Sequence, residues 1–221
     1  MFIIYPFLFC ISDIIMVQHE GQRDLLLKKR IDSVIFHNLI DESELPSVEV
    51  SKPEGYVYVG AIDKRKGFAE FFELVCKTPF LNYKVIGRAR DKTGQYYLEK
   101  LKRIKNVSLL GRLNHADTLA QINNSKALIS TSRMEGFPNT FIEAWACGKP
   151  VLSLYVDPGN VIEKERIGVS ANGNIDLIID KLKDFNFDNE LGNRAKKYVI
   201  NNHVLNYSKI QELSTIFERL I

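Results

Sequence analysis

The run Glu135-Gly-Phe-Pro-Asn-Thr-Phe-Ile-Glu143, continuing Ala-Trp-Ala-Cys-Gly148-Lys-Pro150, constrains this chain more than any other stretch. Ala127 to Ser130 before it and Val151 to Leu154 after it are apolar runs of buried-strand length. Between them, Gly136 and Pro138 keep Glu135 in a loop, and the residues that follow read as a short helix closed by a Gly-Lys-Pro turn. Strand, loop, helix and strand in that order belong to an open α/β sheet. The spacing predicts that Glu143 falls in the first turn of the helix, beside the N–H groups of Asn139, Thr140 and Phe141. A helix N-terminus at the carboxyl end of a strand is where phosphate-bearing ligands dock in such a sheet. A carboxylate in that first turn can accept hydrogen bonds from a ribose, while the loop carboxylate reaches what lies beyond the phosphates. The pattern suits a sugar nucleotide.

The rest of the chain alternates strand-like and helix-like segments, which predicts a parallel sheet with helices on both faces. Phe68, Phe71, Phe72 and Val75 recur at helical spacing behind Lys66-Gly67, as do Tyr97, Leu98, Leu101 and Ile104 farther on. Ile175 to Leu182, Asn189 to Asn202 and Ser208 to Leu220 read as closing helices. A net charge of +3, with Lys and Arg interspersed among Asp and Glu, argues against a nucleic-acid partner. Cys10, Cys76 and Cys147 lack metal-ligand spacing and sit among apolar residues, so buried reduced thiols of a cytoplasmic protein are expected. No His, Cys, Asp or Glu cluster has metal spacing.

The Glu135–Glu143 run resembles the E-x7-E signature of retaining GT-B glycosyltransferases of glycosyltransferase family 4. Tyr56-Val-Tyr-Val-Gly60 with Lys66-Gly67, Tyr83-Lys-Val-Ile-Gly87, Asn106-Val-Ser-Leu-Leu-Gly111 and Leu191-Gly-Asn-Arg-Ala195 resemble further motifs of that family, in its order. The resemblance implies a Rossmann-like donor-binding domain over residues 56–221, a linker over 42–55 and a remnant of an N-terminal domain over 1–41. It also implies transfer of a hexose from a UDP- or GDP-sugar to a cell-envelope or polysaccharide acceptor, with no metal or other cofactor.

By the same resemblance, Glu135 lies against the donor sugar and Lys66 stabilises the leaving diphosphate, the main electrostatic task of the reaction. Glu143 would bind the ribose hydroxyls, and Asn139, Thr140 and the Gly136–Phe137 backbone would line the pyrophosphate and sugar. Gly60 ends the first strand on the phosphate side. Arg88 and Arg112, at the ends of the next two strands, would border the nucleobase. The family usually carries an arginine directly after the first strand's glycine, where this chain has Ala61. Arg65 and Lys64 are the nearby cations, although a displaced cation does not reproduce a bidentate clamp. His37, His115 and His203 have no partner suggesting a triad and read as structural or surface residues, and Trp145 reads as a packing residue.

Met1 to Val17 is strongly apolar but lacks a basic leading segment and a small-residue cleavage site, which argues against a secretory signal. Peripheral attachment to the inner face of the cell membrane is compatible with it. So is a strand left from an N-terminal domain, in which case a separate subunit would supply acceptor binding. A non-catalytic, truncated nucleotide-sugar-binding module is the alternative reading, and a GT-B-like epimerase ranks below both.

Overall fold

The structure, a computed structural model, describes residues 12–45, 50, 52–184 and 189–218. Apolar Met1 to Ile11, with Cys10, lies outside the described residues. The described residues open with a small parallel unit: β1 (Met16–Val17), α1 (Glu20–Leu27) and β2 (Val34–Ile35), with Met16 opposite Val34 and Val17 opposite Ile35.

A six-stranded parallel sheet follows. Its elements are β3 (Tyr56–Val59), α2 (Phe68–Lys77), β4 (Tyr83–Ile86), α3 (Lys92–Leu101), β5 (Val107–Gly111), α4 (His115–Asn123) and β6 (Ala127–Ser130). The second half adds α5 (Asn139–Ala146), β7 (Val151–Ser153), α6 (Val161–Glu165), β8 (Gly168–Ser170), α7 (Ile175–Lys183), α8 (Asn189–Asn202) and α9 (Tyr207–Glu218). The spatial order is β5-β4-β3-β6-β7-β8. The winding direction therefore reverses between β3 and β6, and the expected Rossmann-like α/β fold is the observed one.

Helices cover both sheet faces, so strand residues are apolar on both sides instead of alternating with polar ones. In β3, Tyr56, Val57 and Tyr58 are all buried. Tyr56 and Tyr58 join one core with Phe68, Phe71, Leu74 and Val75 of α2 and with Ile178, Ile179 and Leu182 of α7. Val57 points the other way, into a core holding Leu128, Phe141, Trp145 and Val199. Each such large side chain contributes about 1.5–3 kcal/mol when fully buried.

Three helices start at side-chain caps. Asp91 accepts from the Gly94 N–H at the start of α3, Asn114 from the Asp117 N–H at α4, and Asn174 from the Asp176 and Leu177 N–H groups at α7. Helix α5 has no side-chain cap; extended Pro138 precedes it. Five of its eight residues are buried, Phe141, Ile142, Ala144, Trp145 and Ala146. The Trp145 indole N–H donates to the Ile167 carbonyl at 3.1 Å, in keeping with a packing role.

The small N-terminal unit is tied to the sheet domain. The Ile40 N–H donates to the His203 carbonyl and the Leu205 N–H to the Ile40 carbonyl, which pairs Ile40 in parallel with Val204. One expectation fails. Cys147 is buried, and burial pushes its thiol up to about 12, but Cys76 is exposed on the outer side of α2. No described helix is long and apolar enough to cross a membrane.

Candidate functional site

The carboxyl ends of β3 and β6 flank the point where the winding reverses, which is where open α/β sheets form a ligand crevice. Two loops meet there, Gly60–Gly67 after β3 and Thr131–Pro138 after β6. They are held together by contacts that only certain residues permit. Gly67 adopts φ +62°, and a Cβ built on it would lie 2.0 Å from the Thr131 carbonyl oxygen. Any larger residue would force the loops apart. The Thr131 hydroxyl donates to the Lys66 carbonyl at 2.9 Å, and the Arg133 N–H to the Arg65 carbonyl at 3.2 Å.

Within the first loop, Asp63 has a buried side chain that accepts from the Lys66 N–H at 2.9 Å and lies 3.7 Å from the Arg65 guanidinium. Its carboxylate fixes the turn from which Lys66 projects. Lys66 Nζ then forms an ion pair with Glu135 Oε1, a direct union of two residues read separately from the sequence as site candidates. Both side chains stay partly open to solvent, 31% and 20% exposed. Arg65 itself is 83% exposed and lines the rim. Beside the pair, Arg133 is bonded to Glu70 and lies over the Tyr155 ring, 5.0 Å from its centroid.

Gly60 closes β3 with its N–H on the Ile86 carbonyl at 3.0 Å, and a Cβ on Gly87 would lie 1.8 Å from the Gly60 carbonyl oxygen. The strand ends therefore approach as closely as two glycines allow. At Ala61 the carbonyl accepts from the buried Tyr58 hydroxyl at 2.8 Å. Burial, with Asp63 and Glu135 nearby, holds that phenol well above its usual range. Arg88 and Arg112 are exposed just beyond the ends of β4 and β5.

The second loop differs from the sequence reading in two respects. Phe137 was expected to line the site through its backbone, and its side chain serves the core. The ring is buried against Trp145 at 6.2 Å, His203 at 4.9 Å and His37 at 6.5 Å between centroids. Its N–H is not open to a phosphate, because Gln18 Oε1 accepts it at 2.7 Å. The Phe141 N–H is likewise engaged, on the Pro138 carbonyl at 3.0 Å. Asn139 and Thr140 do stand at the start of α5, where the first helical N–H groups lack partners within the helix.

Glu143 is the fifth residue of α5 and so lies in its second turn; Pro138, with ψ 124°, stays outside the helix. Its carboxylate, 14% exposed, faces His115 Nδ1 at 3.7 Å. His115 opens α4 four residues after β5 ends at Gly111, so Glu143 is reached from the same edge of the sheet as the other candidates. Residue type alone did not mark His115. Its place just after Asn114, a helix cap following a strand end, is the signal that could have found it. Asp63, Thr131, Gln18 and Asn38 were missed as well.

His203 is fully buried, with Nδ1 2.8 Å from the Asn38 carbonyl and Nε2 3.2 Å from the Tyr198 hydroxyl. Burial lowers its pKa to about 4. It is a structural residue, as its lack of a triad partner suggests. Among the described residues, no group of three or more His, Cys, Asp or Glu side chains converges as metal ligands.

The sequence profile described as "Glycosyl transferases group 1" matches residues 40–202. An uncharacterized glycosyltransferase of Methanocaldococcus jannaschii is 27% identical over 152 residues, 66% of this chain and 39% of its own length. A mutant of S. aureus TarM, solved with fondaparinux, alpha-GlcNAc-glycerol and UDP, superposes with a TM-score of 0.75 at 21% identity. It covers 92% of this chain and 43% of its own. Anabaena HepE, solved with UDP, gives 0.73 at 13% identity over 94% of this chain and 64% of its own. The likeness to these structures is one of fold, and the chain spans less than two thirds of each of these three proteins.

Proposed function

The chain belongs to the glycosyl transferases group 1 family, and we propose that it is the donor-binding half of a retaining glycosyltransferase that needs no metal ion. In this reading it accepts a UDP- or GDP-hexose and passes the hexose to a cell-envelope or polysaccharide acceptor. Residues 56–221 form the donor domain, 42–55 a linker and 1–41 part of an N-terminal domain. Acceptor recognition falls to a further domain or a partner chain.

The observation that carries the reading is the meeting of Lys66 and Glu135 at the point where the sheet reverses, beside the start of α5. A diphosphate entering there competes with Glu135 for the Lys66 ammonium. Lys66 then bears on the leaving phosphates, where charge builds during transfer. Asn139 and Thr140 offer the helix N-terminus to the same phosphates. Glu135, released from the lysine, faces the sugar side, where its carboxylate holds hydroxyls and supports positive charge developing at the anomeric carbon. Glu143, beside His115, takes the ribose. Gly60 and Arg65 flank the phosphates and Arg88 and Arg112 the base. The solved relatives with UDP bound, TarM and HepE, support a uridine nucleotide as the first donor to try.

One observation favours a binding module without turnover. Ala61 stands where the resemblance expects an arginine, and Arg65 points largely into solvent. Lys66 is then the principal cation for the diphosphate.

The test is a thermal-shift series with UDP, GDP, ADP and their common sugar conjugates. At a hundredfold excess over Kd, binding adds about 2.7 kcal/mol, which raises Tm by roughly 5–10 °C in a domain of this size. The expected result is a shift with one nucleotide family that Glu143→Ala weakens by about ten- to a hundredfold in affinity, the worth of one to two charge-assisted hydrogen bonds. A flat response from folded protein would refute donor binding. A shift without sugar transfer, once the acceptor-binding part is supplied, would favour the binding module.

A further inference from the structure

We infer that Gln18 and Asn38, from the small N-terminal unit, are positioning residues that set the site loop Glu135–Asn139. The inference rests on the reading of that loop as part of the donor site. Gln18 follows β1 and Asn38 lies shortly beyond β2, so two neighbouring parallel strands aim their carboxyl ends at one loop. Gln18 Oε1 accepts from the Phe137 N–H at 2.7 Å, and its Nε2 donates to Asn38 Oδ1 at 2.6 Å. Asn38 Nδ2 in turn donates to the Phe137 carbonyl at 3.0 Å and to Asn139 Oδ1 at 2.8 Å. The two side chains thus satisfy both backbone groups of Phe137.

Each amide uses its oxygen and its nitrogen in this network. Rotating either amide by half a turn would set donor against donor, so the network fixes both orientations. The two residues are themselves anchored. His37 Nδ1 meets the Gln18 carbonyl at 3.0 Å, Gln22 Oε1 accepts the Gln18 N–H at 2.7 Å, and His203 Nδ1 meets the Asn38 carbonyl at 2.8 Å.

Gly136 points the same way. It is not among the glycines with positive φ, so its backbone conformation does not demand a glycine. Space does: a Cβ there would lie 2.1 Å from Gln18 Oε1 and 3.1 Å from Gln22 Nε2. The glycine of the signature run is therefore the gap through which Gln18 reaches the loop. Glu135 precedes this point and Asn139 follows it, so the clamp sets where the carboxylate meets Lys66 and where α5 begins.

The experiment compares the full chain with its Gln18→Met variant, in which length and packing are kept and the amide is lost. Amide hydrogen exchange is followed at Phe137 and, as internal control, in β3 and β6. Affinity for UDP and GDP is measured by calorimetry. The expected result is faster exchange at Phe137 with unchanged β3 and β6, and a Kd about tenfold higher for whichever nucleotide the native chain binds, the scale of one lost hydrogen bond at its upper end. Faster exchange with an unchanged Kd overturns the positioning role, and unchanged exchange at Phe137 overturns the clamp itself. If Gln18→Met does not fold, Gly136→Ala displaces Gln18 by space alone and gives the same two readings. A native chain that binds neither nucleotide refutes the donor reading, while the exchange data still decide whether Gln18 and Asn38 hold the loop.

Discussion

Acid should loosen this protein through His203, by an amount that can be worked out. The imidazole is fully buried, bonded to the Asn38 carbonyl and the Tyr198 hydroxyl, with His37 packed on it at 5.4 Å between centroids. Burial leads the causes that lower its pKa to about 4, with His37 and Lys209 adding to the effect and the Asn38 carbonyl opposing it. In the unfolded chain it titrates near 6.5. The folded value is the lower one, so the unfolded state binds the extra proton in between. Stability is full above about pH 6.5 and falls as the pH drops toward 4. At 1.36 kcal/mol per pH unit, the loss from His203 alone between pH 7 and pH 5 is about 2 kcal/mol. The assay is urea unfolding at the two pH values, followed by the fluorescence of Trp145. That residue is the single tryptophan, and its ring lies 5.5 Å from that of Tyr198. His203→Phe keeps an aromatic ring and removes the titration. It should be less stable at pH 7, with two polar groups left unpartnered, yet lose about 2 kcal/mol less than the native chain on going to pH 5. Equal losses in the two proteins would refute the argument.

Further outcomes follow from single contacts. Gly67→Ala combines a left-handed backbone with an overlap on the Thr131 carbonyl and should cost about 2–4 kcal/mol; a melting temperature within a degree of the native value would contradict the close approach of the two loops. Lys66→Met should weaken nucleotide binding about tenfold or more and flatten its dependence on salt, read by calorimetry at two ionic strengths; equal salt slopes would remove Lys66 from the phosphates. In native protein, a maleimide should label Cys76 well before Cys147, since one is exposed and the other buried with its thiol pushed up, as peptide mapping by mass spectrometry would read.

The sheet was legible where a strand is apolar on both faces. Tyr56–Val59 and Ala127–Ser130 announce themselves as short apolar runs, and the helix behind Lys66-Gly67 by the spacing of Phe68, Phe71 and Val75. The three-residue β8, Gly168–Ser170, and the short α6 carry too little pattern to read. Lys66 and Glu135 were each visible through motif resemblance, and their pairing came from topology. The first-turn reading of Glu143 is one turn early even though the helix starts at Asn139 as read, because the fifth residue of a helix with about 3.6 residues per turn already lies in the second turn. Gln18 and Asn38 had no local signal at all. Their partner Phe137 lies 119 and 99 residues away, and a lone amide side chain says nothing about a contact of that range. The Phe137 backbone, read as a main-chain donor to the ligand, departs from that reading for the same reason, since its N–H is taken by Gln18.

The order in which the sheet is wound also bears on when a site can exist during folding. β3 and β4 pair across one intervening helix, but β3 meets β6 only after β4, α3, β5 and α4 have been traversed, with Tyr56 set opposite Ala127. Closing such a long loop is entropically costly and slows the search for that pairing. Lys66 and Glu135, 69 positions apart, come within reach through the same event. A chain emerging from the ribosome as far as β5 would hold its first three sheet strands and no paired carboxylate for the lysine. If the proposed donor site is the one used, nucleotide binding should therefore arise no earlier than the central crossover, and a donor present during refolding would select chains that have already made it.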